Sequence, residues 1–134
     1  MVEEFEALGV PFETRGAMAD EYLRALKSLW MDNVASFDGT YCRFAIVLCN
    51  PKPIQKPHPT IMIGGESRPA FRRVVAIGDG WHGHLLPHKR ESLPEAIHTI
   101  RQLAEETDRD PSSLRFAATL FEKSLDNLLR SLRF

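Results

Sequence analysis

Thr60-Ile61-Met62-Ile63-Gly64-Gly65-Glu66-Ser67-Arg68-Pro69 is the stretch on which the fold turns. A short apolar run stops abruptly at two glycines. Beyond them Ala70, Phe71, Val74, Val75 and Ile77 form one apolar stripe, with Arg68, Arg72 and Arg73 off it. The first part reads as a buried strand, and the second as a helix of about ten residues closed by Gly78. The pattern then repeats. Gly80-Trp81-His82 predicts a second strand, and Leu93, Ile97, Ile100, Leu103 and Ala104 predict a helix from Ser92 to about Thr107, with Glu95 completing a capping box. Asp110-Pro111-Ser112-Ser113 breaks the chain, Leu114 to Leu120 predicts a third strand, and Leu125, Leu128, Leu129 and Leu132 predict a closing helix. Strand and helix alternating from Thr60 onward imply parallel βα units and an α/β fold.

Upstream, Asn50 to Pro59 holds four of the nine prolines, which forbids a central strand or a helix and predicts an extended, stiff connector delivering the chain to the strand. Before it, Phe37-Asp38-Gly39-Thr40-Tyr41 sets Asp-Gly between aromatic and β-branched residues, predicting a hairpin over about 36–48. Met18, Tyr22, Leu26, Leu29 and Trp30 recur at helical spacing and predict a helix over about 17–31. The first fifteen residues, with Gly9 and Pro11 as interruptions, read as a lead-in without an element of its own.

The chain has 134 residues, 43% of them hydrophobic and 26% charged, enough to bury a core and unlike a disordered chain. Seventeen Lys and Arg against eighteen Asp and Glu leave a formal charge of -1, so no global basic field calls for nucleic acid or an anionic membrane. No apolar run approaches the length of a bilayer span, and Val2-Glu3-Glu4 is the opposite of a basic secretory start, which together predict a cytoplasmic protein. Cys42 and Cys49 read as reduced packing residues.

Chemistry concentrates at two junctions. At Ile63-Gly64-Gly65-Glu66-Ser67 a strand ends where a helix begins. Glycines allow close backbone approach, and the helix N-terminus offers free amides and partial positive charge, which together favour a phosphate. Ser67 can cap the helix or donate its hydroxyl, and Arg68 can add a charge-assisted bond. Glu66 opposes an anion unless it points to solvent, and Pro69 removes one amide. The same glycines equally suit a turn that only packs strand against helix. At Gly78-Asp79-Gly80-Trp81 a helix stop meets a strand: Asp79 can tie down the turn and Trp81 can serve as core. His82 and His84 share one side of an extended strand and, with His88, form a candidate metal set that lacks a nearby carboxylate or thiol. A polar surface loop explains the three equally well. No Walker-type loop or Ser-His-Asp arrangement is present.

Six segments in order resemble the luciferase-like monooxygenase superfamily, closest to its deazaflavin (coenzyme F-420) dependent oxidoreductases. They are Phe5 to Phe12, Asp20 to Trp30, Ser36-Phe37-Asp38-Gly39, Asn50-Pro51-Lys52-Pro53-Ile54-Gln55, Ile63-Gly64-Gly65-Glu66-Ser67 and Gly78-Asp79-Gly80-Trp81. The resemblance implies a TIM-type (β/α)8 barrel carrying FMN or coenzyme F-420 at the C-terminal ends of its strands. It further implies that Gly64, Gly65 and Ser67 contact the cofactor phosphate, that Glu66 belongs to the same cofactor-binding loop, and that Asp79, Gly80 and Trp81 shape the pocket. It assigns no catalytic residue and no metal.

The implied chemistry is hydride transfer with the deazaflavin, or oxygenation of a small molecule by O2 with reduced FMN. Such barrels run to about 250 residues, so this chain is expected to be the C-terminal half of one, a single partial domain with the hairpin as an insertion. The opening strands are then supplied by a complementing N-terminal half or by self-association into a homo-oligomer. The competing expectations are a truncated, catalytically inactive remnant, or an anion- or nucleotide-binding interaction module.

Overall fold

A computed structural model describes residues 2–85 and 92–120. The chain divides into two compact units, one ending at Pro59 and the other starting at Thr60, so the boundary falls at the last proline of the Pro-rich connector.

The first unit opens with a helix where the sequence predicts only a lead-in. α1 spans Val2–Ala7, and a 3-10 turn spans Phe12–Thr14. Glu3 and Glu4 in the first turn of α1 complement the helix dipole. Gly9 (φ 67°) closes it in a Schellman arrangement, its N–H donating to the Glu6 carbonyl (3.0 Å) and the Val10 N–H to the Phe5 carbonyl (2.9 Å). Gly9 and Pro11 therefore end a helix that Val2 to Ala7 had room to form. Phe5 then meets Phe12 edge-on at 5.3 Å.

α2 spans Arg15–Met31, beginning two residues before the expected start at about residue 17. β1 (Ala35–Asp38) and β2 (Arg43–Val47) pair antiparallel, with Phe37 opposite Phe44 and Asp38 opposite Arg43. Glu21 of α2 fastens the hairpin turn: its carboxylate accepts from the backbone N–H groups of Thr40 (2.9 Å), Tyr41 (2.6 Å) and Cys42 (2.6 Å). Lys52, from the Pro-rich segment, donates to the carbonyls of Leu29 (2.8 Å) and Asp32 (2.5 Å), closing the C-terminus of α2.

The second unit has the predicted βα order. β3 (Met62–Gly64), α3 (Arg68–Ala76), β4 (Gly80–Leu85), α4 (Ser92–Glu105) and β5 (Arg115–Leu120) follow one another, with a 3-10 turn at Pro111–Ser113. The strands form one sheet in the order β3-β4-β5, both pairings parallel. Ile63, Trp81 and Phe116 stand in register across it. Ile63 and Trp81 are buried on the face that α3 and α4 cover with Ala70, Phe71, Val74, Val75, Ile100, Leu103 and Ala104. Alternation sends Met62, Gly64, His82, His84, Ala117 and Thr119 to the opposite face. α4 ends with Asp108 at φ 55°, its N–H donating to the Glu105 carbonyl (3.2 Å) and that of Arg109 to the Ala104 carbonyl (2.9 Å). The Arg109 guanidinium then reaches the Val74 (3.2 Å) and Val75 (2.5 Å) carbonyls near the end of α3. His88 and the closing helix expected over Leu125 to Leu132 lie outside the described residues.

Candidate functional site

The glycine junction sits at the C-terminal end of β3, immediately before α3. Gly65 has φ 99°, a conformation that L side chains rarely adopt, and a Cβ on it would stand 3.1 Å from the Ala70 methyl. A glycine is required here by backbone geometry. Gly64 has a different reason to be bare: a Cβ there would meet nothing nearer than the His82 carbonyl oxygen at 3.9 Å, so the space beside it is open to a ligand.

Ser67 is the N-cap of α3, and its hydroxyl accepts from the Ala70 N–H at 3.4 Å. The Phe71 N–H donates to the Ser67 carbonyl (3.0 Å), and Pro69 has no N–H to give. The first turn of α3 thus keeps the Arg68 N–H as its outward donor, on an exposed stretch running from Gly64 to Pro69. Glu66 lines a cleft of about 240 Å³ with Phe71, Trp81, Ser92, Glu95, Ala96 and Thr99. Two carboxylates, Glu66 and Glu95, make that cleft unsuited to an anion.

The second junction separates into two locations. Asp79 and Gly80 stand at the N-terminal end of β4, the end of the sheet away from the glycine turn. Asp79 joins the strands there: its carboxylate accepts from the Ile61 N–H (2.7 Å), its own N–H donates to the Ile61 carbonyl (2.8 Å), and its carbonyl accepts from the Arg115 N–H (3.0 Å). Gly80 lets β5 approach, since a Cβ on it would overlap the Arg115 carbonyl. Trp81, 1% exposed, packs edge-on against Phe71 at 5.9 Å and donates its indole N–H to the Gly65 carbonyl at 2.8 Å. It is core and also fixes the turn: with that carbonyl held inward, the Gly65 peptide has one orientation. The structure therefore brings Gly64, Gly65, Ser67 and Trp81 together, turns Glu66 toward the acidic cleft, and places Asp79 and Gly80 elsewhere.

Thr119 carries no sequence signal of a site, yet its hydroxyl is hydrogen-bonded to His82 Nε2 at 2.9 Å. The His82 and His84 rings lie edge-on at 5.2 Å. Period-2 alternation shows the two histidines on one side, but only the strand pairing brings Thr119 to them. Among the described residues no group of three His, Cys, Asp or Glu could hold a metal ion, and no helix is long and apolar enough to cross a membrane.

The family model for luciferase-like monooxygenases matches residues 2–122. The chain is 39% identical over 82 residues to an FMNH2-dependent dimethylsulfone monooxygenase of Pseudomonas putida, covering 59% of this chain and 22% of that protein. It is 33% identical over 106 residues to an uncharacterised protein of Mycobacterium tuberculosis, covering 78% of this chain and 36% of the relative. Among solved structures it superposes on a monooxygenase from Streptomyces bottropensis with a TM-score of 0.69 at 24% identity, covering 85% of this chain and 36% of that one. On a riboflavin lyase solved with modified FMN and riboflavin the TM-score is 0.70 at 18% identity, with 95% and 34% covered. The chain spans 22% to 36% of the length of these relatives, and its parallel βα units are a portion of a TIM-type barrel. A family match over most of the sequence, together with that fold, establishes that the chain belongs to the luciferase-like monooxygenase family.

Proposed function

We propose that this chain supplies the cofactor-phosphate end of a flavin-dependent oxidoreductase site, with FMN as cofactor and oxygenation of a small molecule by O2 as the reaction. The observation that carries this reading is the Gly65 turn: a left-handed glycine at a strand's C-terminal end, heading a helix, beside open space at Gly64 and pinned from within by Trp81. The donor set fits a phosphate ester. Gly64 leaves room, Gly65 orients the turn, Ser67 fixes the first turn of α3, and the Arg68 N–H and guanidinium supply donors and positive charge.

Bound reduced flavin would supply the electrons and the activation of O2, while the protein binds, orients and shields it. FMN is favoured over coenzyme F-420 by the cofactor named for the Pseudomonas relative. Asp79 and Gly80 contribute indirectly, by holding β3, β4 and β5 in register. In this reading the remaining barrel strands come from further chain, a complementing chain or a second copy, and the protein works in the cytoplasm.

Titration of the purified chain with FMN and with coenzyme F-420, followed by cofactor fluorescence, tests the proposal. The expected result is saturable FMN binding that inorganic phosphate competes away and that Gly65→Ala weakens at least tenfold. Failure of FMN to bind at high micromolar concentration overturns it, and binding of coenzyme F-420 in its place would overturn the choice of cofactor. Binding of phosphate alone, with no preference for a flavin, would instead support an anion-binding interaction module.

A further inference from the structure

The strand register carries a consequence for His82 and His84. Gly64 is the last residue of β3 and stands opposite His82, whereas β4 continues to Leu85. His84 therefore lies two residues beyond the Gly64 level, about 6.6 to 6.8 Å farther along the strand direction. It flanks the open space at Gly64 on the sheet face opposite α3 and α4. In a TIM-type barrel that face is the interior, so a ligand anchored by its phosphate at Gly64 and Gly65 and extending inward passes these two imidazoles.

The side chains have a chemistry suited to one kind of group. A neutral imidazole offers one donor and one acceptor nitrogen, which matches hydroxyl groups, themselves donor and acceptor. His82 is half-buried and its Nε2 is held by the Thr119 hydroxyl at 2.9 Å. His84 is exposed and stands edge-on to it.

We propose that His82 and His84 bind the hydroxylated chain linking phosphate to ring in the cofactor, with Thr119 as the positioning residue for His82. This rests on the phosphate-seat reading above. It assigns the pair to a polyol rather than to a metal ion.

Three ligands separate the two ideas: FMN, riboflavin, which keeps the hydroxylated chain without the phosphate, and lumiflavin, the ring with neither. Each is titrated into the purified chain by fluorescence, with thermal unfolding as a control for folding. His82→Gln and His84→Gln should each weaken FMN and riboflavin about threefold to tenfold, the loss of one or two net hydrogen bonds, and leave lumiflavin and inorganic phosphate unchanged. Thr119→Val should reproduce the His82→Gln loss, and Thr119→Ser should restore it. Gly65→Ala should weaken FMN while sparing riboflavin.

Unchanged riboflavin affinity in both histidine variants overturns this proposal but leaves the phosphate seat standing. No binding of FMN to the unmodified chain overturns both. Where a variant fails to fold, imidazole 1H–15N spectra of the unmodified chain decide. Histidine resonances that move with riboflavin but not with inorganic phosphate support the proposal, and resonances unmoved by riboflavin overturn it.

Discussion

Gly65 and Trp81 form a two-residue device: one provides a turn that a side chain would strain, the other holds its carbonyl inward. Replacing Gly65 by Ala places a Cβ 3.1 Å from the Ala70 methyl in a left-handed backbone, and we expect a loss of about 1 to 3 kcal/mol. Denaturant unfolding checks this, and an unchanged midpoint would mean the turn relaxes to another conformation. Trp81→Phe keeps the ring against Phe71 but leaves the Gly65 carbonyl without the indole. It should cost about 1 to 3 kcal/mol, since the indole volume is lost together with the hydrogen bond. If the turn seats the cofactor phosphate as proposed, riboflavin affinity should be touched less than FMN affinity. At this scale the sequence marked a glycine turn at the strand-helix junction and allowed Trp81 as core. It did not show that the indole reaches back across sixteen residues to the turn, because an indole N–H donor has no sequence signature for its acceptor.

Two element-scale contacts are open to test. Glu21 joins α2 to the hairpin. Burial pushes its carboxyl up, but the N–H groups of Tyr41, Cys42 and Thr40 and the charge of Arg24 push it down further, so it is held below the ordinary value of 4.5. A carboxyl lowered in the folded state stabilises fully above its unfolded value, and that contribution fades as pH falls through the lowered one. The thermal midpoint of the native chain should therefore exceed that of Glu21→Gln at pH 6, and the gap should shrink on acidification below 4.5. A gap constant from pH 6 to pH 3 would refute the contact. At the end of α4, Asp108 occupies a left-handed position that glycine fills at no steric cost. Asp108→Gly should stabilise by about 0.5 to 1 kcal/mol, measured by denaturant unfolding; a loss of stability would mean that the Asp108 side chain matters more than its backbone. α2, α3 and α4 were legible because their apolar stripes run for several turns, and the short strands were legible from the glycines, prolines and Asp-Gly that bound them. α1 was not, because the nearby Gly9 and Pro11 mark where a helix stops and say nothing about whether six residues precede it.

Over the whole molecule, burial is uneven. Among the described residues, the buried apolar ones in the unit ending at Pro59 are Ala25 and Ala35, whereas Trp81, Ile100 and Val74 are the largest fully buried side chains and all belong to the other unit. Local opening follows buried apolar contact, so amide exchange should be slowest in β4 and in the buried turns of α3 and α4. The hairpin amides should exchange sooner. Equal protection of both units would show that they open together.

The sequence by itself determined the order of strands and helices from α2 onward, the parallel βα class, the family and the glycine junction, because each rests on local pattern: period, turn chemistry and residue spacing. Tertiary structure alone decided which of the expected site residues meet. Asp79 and Gly65 flank neighbouring strand-helix junctions in the sequence yet lie at opposite ends of the sheet, and the His82 ring reaches the hydroxyl of Thr119, 37 residues away, because the β4–β5 pairing sets Thr119 opposite His84. Strand register, strand direction and the face that the helices cover make these assignments, and all three arise from contacts between distant segments.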